Sequence, residues 1–294
     1  MENGILLTVS LVAALGGSIF KKLYTNRDSR LSGSFAYTAV GCLVAAAVLF
    51  AWGGFGKASL FTVLLGVLFG AVTALQGVTN MAALQVGPLS YTTVIISFST
   101  LISALSGVLF FGESIGLWQI IGMVLMLASF AFANGGETGE KRANLRWLLL
   151  CVVAFLATGA IGVMQKIHQS SAFKEELNPF LVIAFAVSAF LSGAFALFLR
   201  KKESGSEENR NARGKMILLI FLMLISGVCV AVNNKLNLYL SGVIDSVIFF
   251  PVVNGGGLVL TTLASLIIFK ERLRVKQWIG ILFGIASVLC LCVG

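Results

Sequence analysis

Two glutamates, Glu113 and Glu271, stand in the same local setting, Phe-x-Glu, each closing a long apolar run. A carboxylate in such surroundings can bind a proton, or it can accept hydrogen bonds from the unpaired N–H groups that open a helix. Both glutamates border short turns, where a negative group complements the positive end of a helix. They are therefore expected to cap the first turn of the helix that follows each of them, with proton coupling as the alternative. Amides form a second set. Gln76, Thr79 and Asn80, followed by Gln85, close one apolar run, and Asn233, Asn234, Lys235 and Asn237 close another. Spacings of three and four place Gln76, Thr79 and Asn80 on one helix face. An amide among apolar chains must find a hydrogen-bond partner, so that face points into a helix bundle or a wet cavity, where it binds a solute or joins helices.

Three lysines, Lys22, Lys166 and Lys235, lie near the ends of apolar runs. Their stems can carry the ammonium to an interface, or the ammonium can attract a carboxylate or phosphate. His168, the only histidine, follows Lys166 and is read as a bystander. A further run reads Phe249-Phe250-Pro251-Val252-Val253-Asn254-Gly255-Gly256-Gly257. Proline removes a backbone donor and three glycines weaken continuity, so a kink or opening is expected here. Asn254 could then meet a solute, with Phe249 and Phe250 as an apolar wall; the competing reading is that the glycines only permit close packing. Tyr91, Ser97, Ser99 and Thr100 occupy the comparable region earlier in the chain.

The elements that position these residues follow from composition. Of 294 residues 58% are hydrophobic and only 11% charged, with a mean hydropathy of +0.98. A water-soluble chain carries about 25% charged residues, so the apolar surface here must be solvated by lipid. Apolar runs at 3–22, 33–53, 59–82, 88–111, 115–134, 146–167, 178–199, 216–240, 243–268 and 276–293 read as ten spans of an all-α membrane protein. The first positive cluster follows the first run rather than preceding it, as expected of a retained span rather than a cleaved leader. The five cysteines fall in apolar stretches without metal-ligand spacing and read as packing residues. The net charge of +9 is spread over helix ends, which argues against a nucleic-acid partner. No nucleotide-binding loop, nucleophile-and-base pair or metal cluster is evident in the sequence, so neither an enzyme nor a cofactor is expected.

A shift of 158 residues carries Glu113 onto Glu271, and with it Gln119, Ile121, Gly122, Ala128 and Ser129 onto Gln277, Ile279, Gly280, Ala286 and Ser287. A second, separate match joins spans one and six, where Lys22 aligns with Lys166. The chain therefore divides into a first repeat at 1–136, a hydrophilic loop at 137–144 and a second repeat at 145–294. A second charged segment, 200–215, is expected to be a mobile loop. Five spans per repeat make the second copy enter the bilayer from the opposite side, and proteins of that symmetry bind solutes near the midplane. Gly66-x-x-x-Gly70 and Gly280-x-x-x-Gly284 suggest tight helix contacts within or between molecules.

The segments FFGESIGLWQIIGMVLMLAS and IFKERLRVKQWIGILFGIAS, and ALQVGPLSYTTVIISFSTLISALSG ahead of the first, resemble the drug/metabolite transporter superfamily, in particular its ten-span EamA-type proteins. The resemblance covers both repeats and implies a secondary transporter in the plasma membrane working by alternating access, most commonly an exporter. The related small multidrug transporters use a first-span carboxylate for cations and protons. Spans one and six carry no acidic residue here, which favours neutral, zwitterionic or anionic solutes. The leading expectation is a small polar metabolite, such as an amino acid, moved through a cavity lined by spans three, four, eight and nine. An importer or exchanger of anionic or phosphorylated compounds, guided by Lys22, Lys166 and Lys235, is the alternative within that class; a non-transporting receptor or scaffold is the alternative outside it. The expected partners are that solute and lipid, with monomer and homodimer both open. Loops 1–2, 5–6, 7–8 and 9–10 hold 17 of the 21 Lys and Arg residues, which places both termini outside the cytoplasm although the family is usually drawn with both inside.

Overall fold

The computed structural model describes residues 2–28, 30–86, 89–134, 144–203, 212–268 and 275–293. Every element among them is helical: α1 (Glu2–Thr25), α2 (Leu31–Gly53), α3 (Leu60–Val86), α4 (Leu89–Ser97), α5 (Thr100–Phe111), α6 (Leu117–Asn134), α7 (Leu145–Gln169), α8 (Leu177–Glu203), α9 (Ala212–Val243), α10 (Ser246–Ile268) and α11 (Val275–Val293), with one 3-10 turn at Lys174–Glu176. Eight stretches are long and apolar enough to cross a membrane; Leu117–Phe132 and Val275–Leu291 are apolar but shorter. Large apolar side chains point outward along them, Leu109 at 73% and Phe190 at 75% exposure, as lipid-facing helices require. Of the two hydrophilic segments, 137–143 and 204–211 lie outside the described residues. The described flanks of the second are helical, since α8 runs to Glu203 and α9 starts at Ala212.

Two compact units divide the chain, each drawing on both sequence halves. One comprises Met1–Leu7, Leu75–Ala172 and Leu238–Gly294; the other comprises Thr8–Ala74 and Phe173–Asn237. In the first unit, α6 and α11 pack against each other through two reciprocal bonds. Ser129 Oγ donates to the Gly280 carbonyl and Ser287 Oγ to the Gly122 carbonyl, both at 2.7 Å. These four residues are related by the same 158-residue shift, and the pairing order makes the two helices antiparallel. A Cβ at Gly122 would press on Leu291 and on the Ser287 carbonyl, so only glycine permits this approach. In the same unit, α5 runs antiparallel to α10: Asn254 Nδ2 donates to Thr100 Oγ1 at 2.9 Å near one end, and Gly107 meets Ser246 near the other. α7 is held against α4 by the Trp147 indole N–H, which donates to Thr92 Oγ1 at 2.8 Å.

The second unit repeats the arrangement with α2 and α8. Phe35 faces Phe195, Cys42 faces Ser188, and Asn178 Nδ2 donates to the carbonyls of Leu49 and Gly54, which sets these helices antiparallel too. Gly66 and Gly70 of α3 lie against the backbone of α8 at Phe180 and Ala184, so their spacing serves a contact within the molecule.

The expected irregularity falls in the other copy. α10 is a continuous helix through Pro251 and its glycines, whereas the span read as 88–111 is divided into α4 and α5 at Phe98–Ser99. The 158-residue shift carries that division onto Gly256 and Gly257. Ser99, Leu101 and Ile102 donate to carbonyls three residues back, so the chain tightens at the break rather than opening. That geometry keeps backbone donors paired where lipid offers no substitute, and one bond lost at Pro251 is not enough to open a helix there.

Candidate functional site

The N-terminal helix carries small and polar residues at helical spacing: Ser10, Ala13, Ala14, Gly17, Ser18 and Lys21. Intervals of three and four place them on one face, and that face lies against α9. Ser10 Oγ lies 2.9 Å from Asn233 Oδ1 and 2.6 Å from Asn237 Oδ1, and Asn237 Nδ2 donates to Asn233 Oδ1 at 3.3 Å. A Cβ at Gly16 would touch Cys229 Sγ. Since Ser10 meets Asn233 while Gly16 meets Cys229, α1 and α9 run antiparallel, and Lys21 falls toward the Ser226 end of α9. On the other side, Gly227 packs tightly on Val44 and the Gly41 carbonyl of α2.

Between these three helices lies a cavity of about 360 Å³, lined by α1 from Ala13 to Lys21, α2 from Tyr37 to Cys42 and α9 from Ser226 to Asn233. Its size suits a small organic molecule. Its chemistry is uneven. Ser18 and Thr38 spend their hydroxyl protons on the Ala14 and Ser34 carbonyls of their own helices. Asn233 Oδ1 is engaged by Ser10 and Asn237, which leaves its Nδ2 as the donor. The Tyr37 hydroxyl is buried, with Ser226 and Cys229 beside it. Among the described residues no carboxylate lines the cavity, and Lys21 is the one charged residue that does.

Of the residues expected from sequence to bind a solute, this cavity takes in Asn233. A cavity lined by spans three, four, eight and nine was the expectation; this one is lined by α9, which is span eight, together with α1 and α2. Asn234 Nδ2 donates to the Val230 carbonyl of its own helix at 2.9 Å. Thr79 bonds back to Leu75 at 2.8 Å, with Gln76 and Asn80 half-buried beside it on α3. Asn254 joins α10 to α5, and Phe250 sits in an apolar cluster with Phe249 and Leu240. Ser97 is the half-buried last residue of α4. Lys22 is half-buried, whereas Lys235 lies over the Trp52 ring at 4.1 Å. His168 is fully buried, its Nδ1 3.1 Å from Gln169 Nε2. Glu271 and the Tyr91 side chain lie outside the described residues.

Glu113 departs from expectation. Gly112, at φ 67°, turns the chain back at the end of α5, and Glu113 then reaches the start of α10 rather than that of α6. Its carboxylate accepts from the Ser246 N–H at 2.6 Å and the Ser246 hydroxyl at 3.1 Å. Lys166 Nζ lies 2.6 Å away, and both side chains are under a tenth exposed. Lys166 does not snorkel to an interface; its charge is matched within the protein. Gly122 and Gly280 hold the α6–α11 contact. The Lys21–Tyr37 neighbourhood escaped the sequence reading because its members are distant in the chain, although the spacing of Ser10, Gly17, Ser18 and Lys21 on one face was a legible signal.

The fold and cavity define a multi-pass membrane protein with a partly polar chamber among apolar helices. The sequence matches the EamA-like transporter family over residues 3–135 and again over 145–293, and the chain belongs to that family. It is 24% identical over 202 residues to an uncharacterised protein of Haemophilus influenzae, an alignment covering 66% of this chain and 62% of that one. A crystal structure of another protein shares the fold, with a TM-score of 0.68 at 14% identity over 98% of this chain and 96% of that one.

Proposed function

We propose that this protein is a secondary transporter of a small polar metabolite, an amino acid or a related compound, in the plasma membrane. The observation that carries the reading is the chamber between α1, α2 and α9, lined by a buried tyrosine hydroxyl and an amide donor, with an exposed lysine at its edge. Family membership supports transport as the task. The ten-span inverted layout draws support from three pairs of equivalent helices, α2 with α8, α5 with α10 and α6 with α11, each running antiparallel; the shorter apolar helices α6 and α11 would then be the fifth and tenth spans. Alternating access by movement of one repeat against the other then exposes the solute to each side in turn. The repeats are proposed at 1–136 and 145–294, both termini lie outside the cytoplasm by the loop charge, and export is the direction. A thermal-shift screen of metabolites on detergent-purified protein tests the reading, since a bound ligand stabilises the folded state by mass action. A hit that stabilises wild type and not Asn233→Leu is expected; a hit that stabilises both equally places the site elsewhere.

A further inference from the structure

We infer that the chamber selects organic anions, its Lys21–Tyr37–Ser226 end receiving the oxyanion and its Asn233 end receiving the polar remainder. This rests on the transport reading and adds the charge of the solute to it. The antiparallel register of α1 and α9 sets the two ends apart, because Ser10 meets Asn233 while Lys21, eleven residues on, lies toward Ser226. From Ser226 to Asn233 α9 advances roughly 10 Å at 1.5 Å per residue, the length of a small metabolite. At the first end stand the ammonium of Lys21 and the buried Tyr37 hydroxyl, with Ser226 beside it. Among the described residues no ion pair involves Lys21, in contrast to Lys166 and Arg30, which face Glu113 and Asp28. Ser18 and Thr38 give their protons to their own helices, so their remaining lone pairs do not compete for the oxyanion site but suit an ammonium or hydroxyl elsewhere on the solute. Lys21 is exposed at the edge of the chamber, and a positive group there with no counter-charge among the described residues attracts anions and repels cations.

Cys229 lines the chamber and reports on it. The test uses full-length protein in vesicles with Cys229 as the only cysteine, labelled by a negatively charged and a positively charged methanethiosulfonate of similar size. The anionic reagent is expected to react on the order of tenfold faster than the cationic one. Lys21→Gln removes that preference and Lys22→Gln keeps it. Millimolar succinate is expected to slow labelling while its uncharged analogue succinamide does not. Vesicles of phosphatidylcholine alone and vesicles containing phosphatidylglycerol separate a free solute from a lipid headgroup: protection by succinate in both supports a solute site. Labelling already slowed by phosphatidylglycerol, with no further effect of succinate, shows a lipid phosphate in the place proposed for a solute and overturns the inference. So does equal labelling by the two reagents, no labelling by either, or a Lys21→Gln variant that keeps the preference. Transport of neutral solutes that persists beside such a result leaves the transport reading standing, whereas loss of the preference together with absence of any transport removes both.

Discussion

Glu113, beyond the end of α5, and Lys166, on α7, form a buried ion pair at 2.6 Å, and the same carboxylate caps the first N–H of α10. Three elements from two sequence repeats therefore meet at one carboxylate. Gly107 makes room for it, since a Cβ at that position would fall on the Glu113 carboxylate and on Ser246. A charge left alone in such a place is costly, because neither lipid nor packed side chains can solvate it.

Removing one partner is therefore worse than removing both. Glu113→Gln and Lys166→Met should each destabilise the protein by about 3–5 kcal/mol, while the double variant recovers a substantial part of that loss. Unfolding midpoints of the four proteins in one detergent measure it; a double variant no better than the worse single one would show that the charges do not depend on each other.

Close approach should be specific to particular glycines. Gly107→Ala and Gly122→Ala are expected to lower the unfolding temperature by several degrees, because the added methyl meets Glu113 in one case and Leu291 in the other. Gly77→Ala on α3 meets nothing within 4 Å and is expected to be neutral or mildly stabilising. Equal losses at all three positions would mean that helix propensity, rather than contact, governs them.

The reciprocal serine bonds should behave as equals. Ser129→Ala and Ser287→Ala each remove one hydroxyl-to-carbonyl bond of 2.7 Å, with an expected loss of about 0.5–1.5 kcal/mol apiece. Seven residues along the helix separate the two bonds, so their effects should add. A double-mutant cycle on detergent-solubilised protein checks both statements, and one silent serine would break the equivalence.

Much of this fold is legible in the order of residues, and the exceptions share a cause. Apolar runs mark the helices because lipid sets their length, and the Gln119 to Ser129 match with Gln277 to Ser287 becomes a physical two-fold contact between α6 and α11. The division at Phe98–Ser99 was read in the wrong copy. Proline and glycine lower the cost of irregular backbone, but in lipid a helix stays closed unless its freed groups find partners, and Asn254 reaching Thr100 ties the start of α5 instead. The Glu113–Lys166 pair is invisible locally, since 53 positions separate its members; the physical clue was that a lysine in a span of small residues requires a carboxylate somewhere. Repeat symmetry singles out Lys22, whereas helix phase puts its neighbour Lys21 on the chamber face with Ser10, Gly17 and Ser18.

The charge of the loops predicts the orientation. With 17 of the 21 basic residues on the side away from the termini, a fusion at Gly294 should show periplasmic alkaline phosphatase activity and no cytoplasmic fluorescence. The opposite pattern would place both ends inside and reverse the face from which the α1–α2–α9 chamber is entered.

Transport itself is tested most directly by solute movement in proteoliposomes holding the purified chain. A saturable flux of at least one small polar metabolite is expected, driven by its own gradient or by an ion gradient. It should be abolished by Gly17→Leu, which fills the chamber beside Cys229, and unaffected by Gly77→Ala. If no member of a broad panel moves under any gradient, or if flux survives the filled chamber unchanged, the account is contradicted.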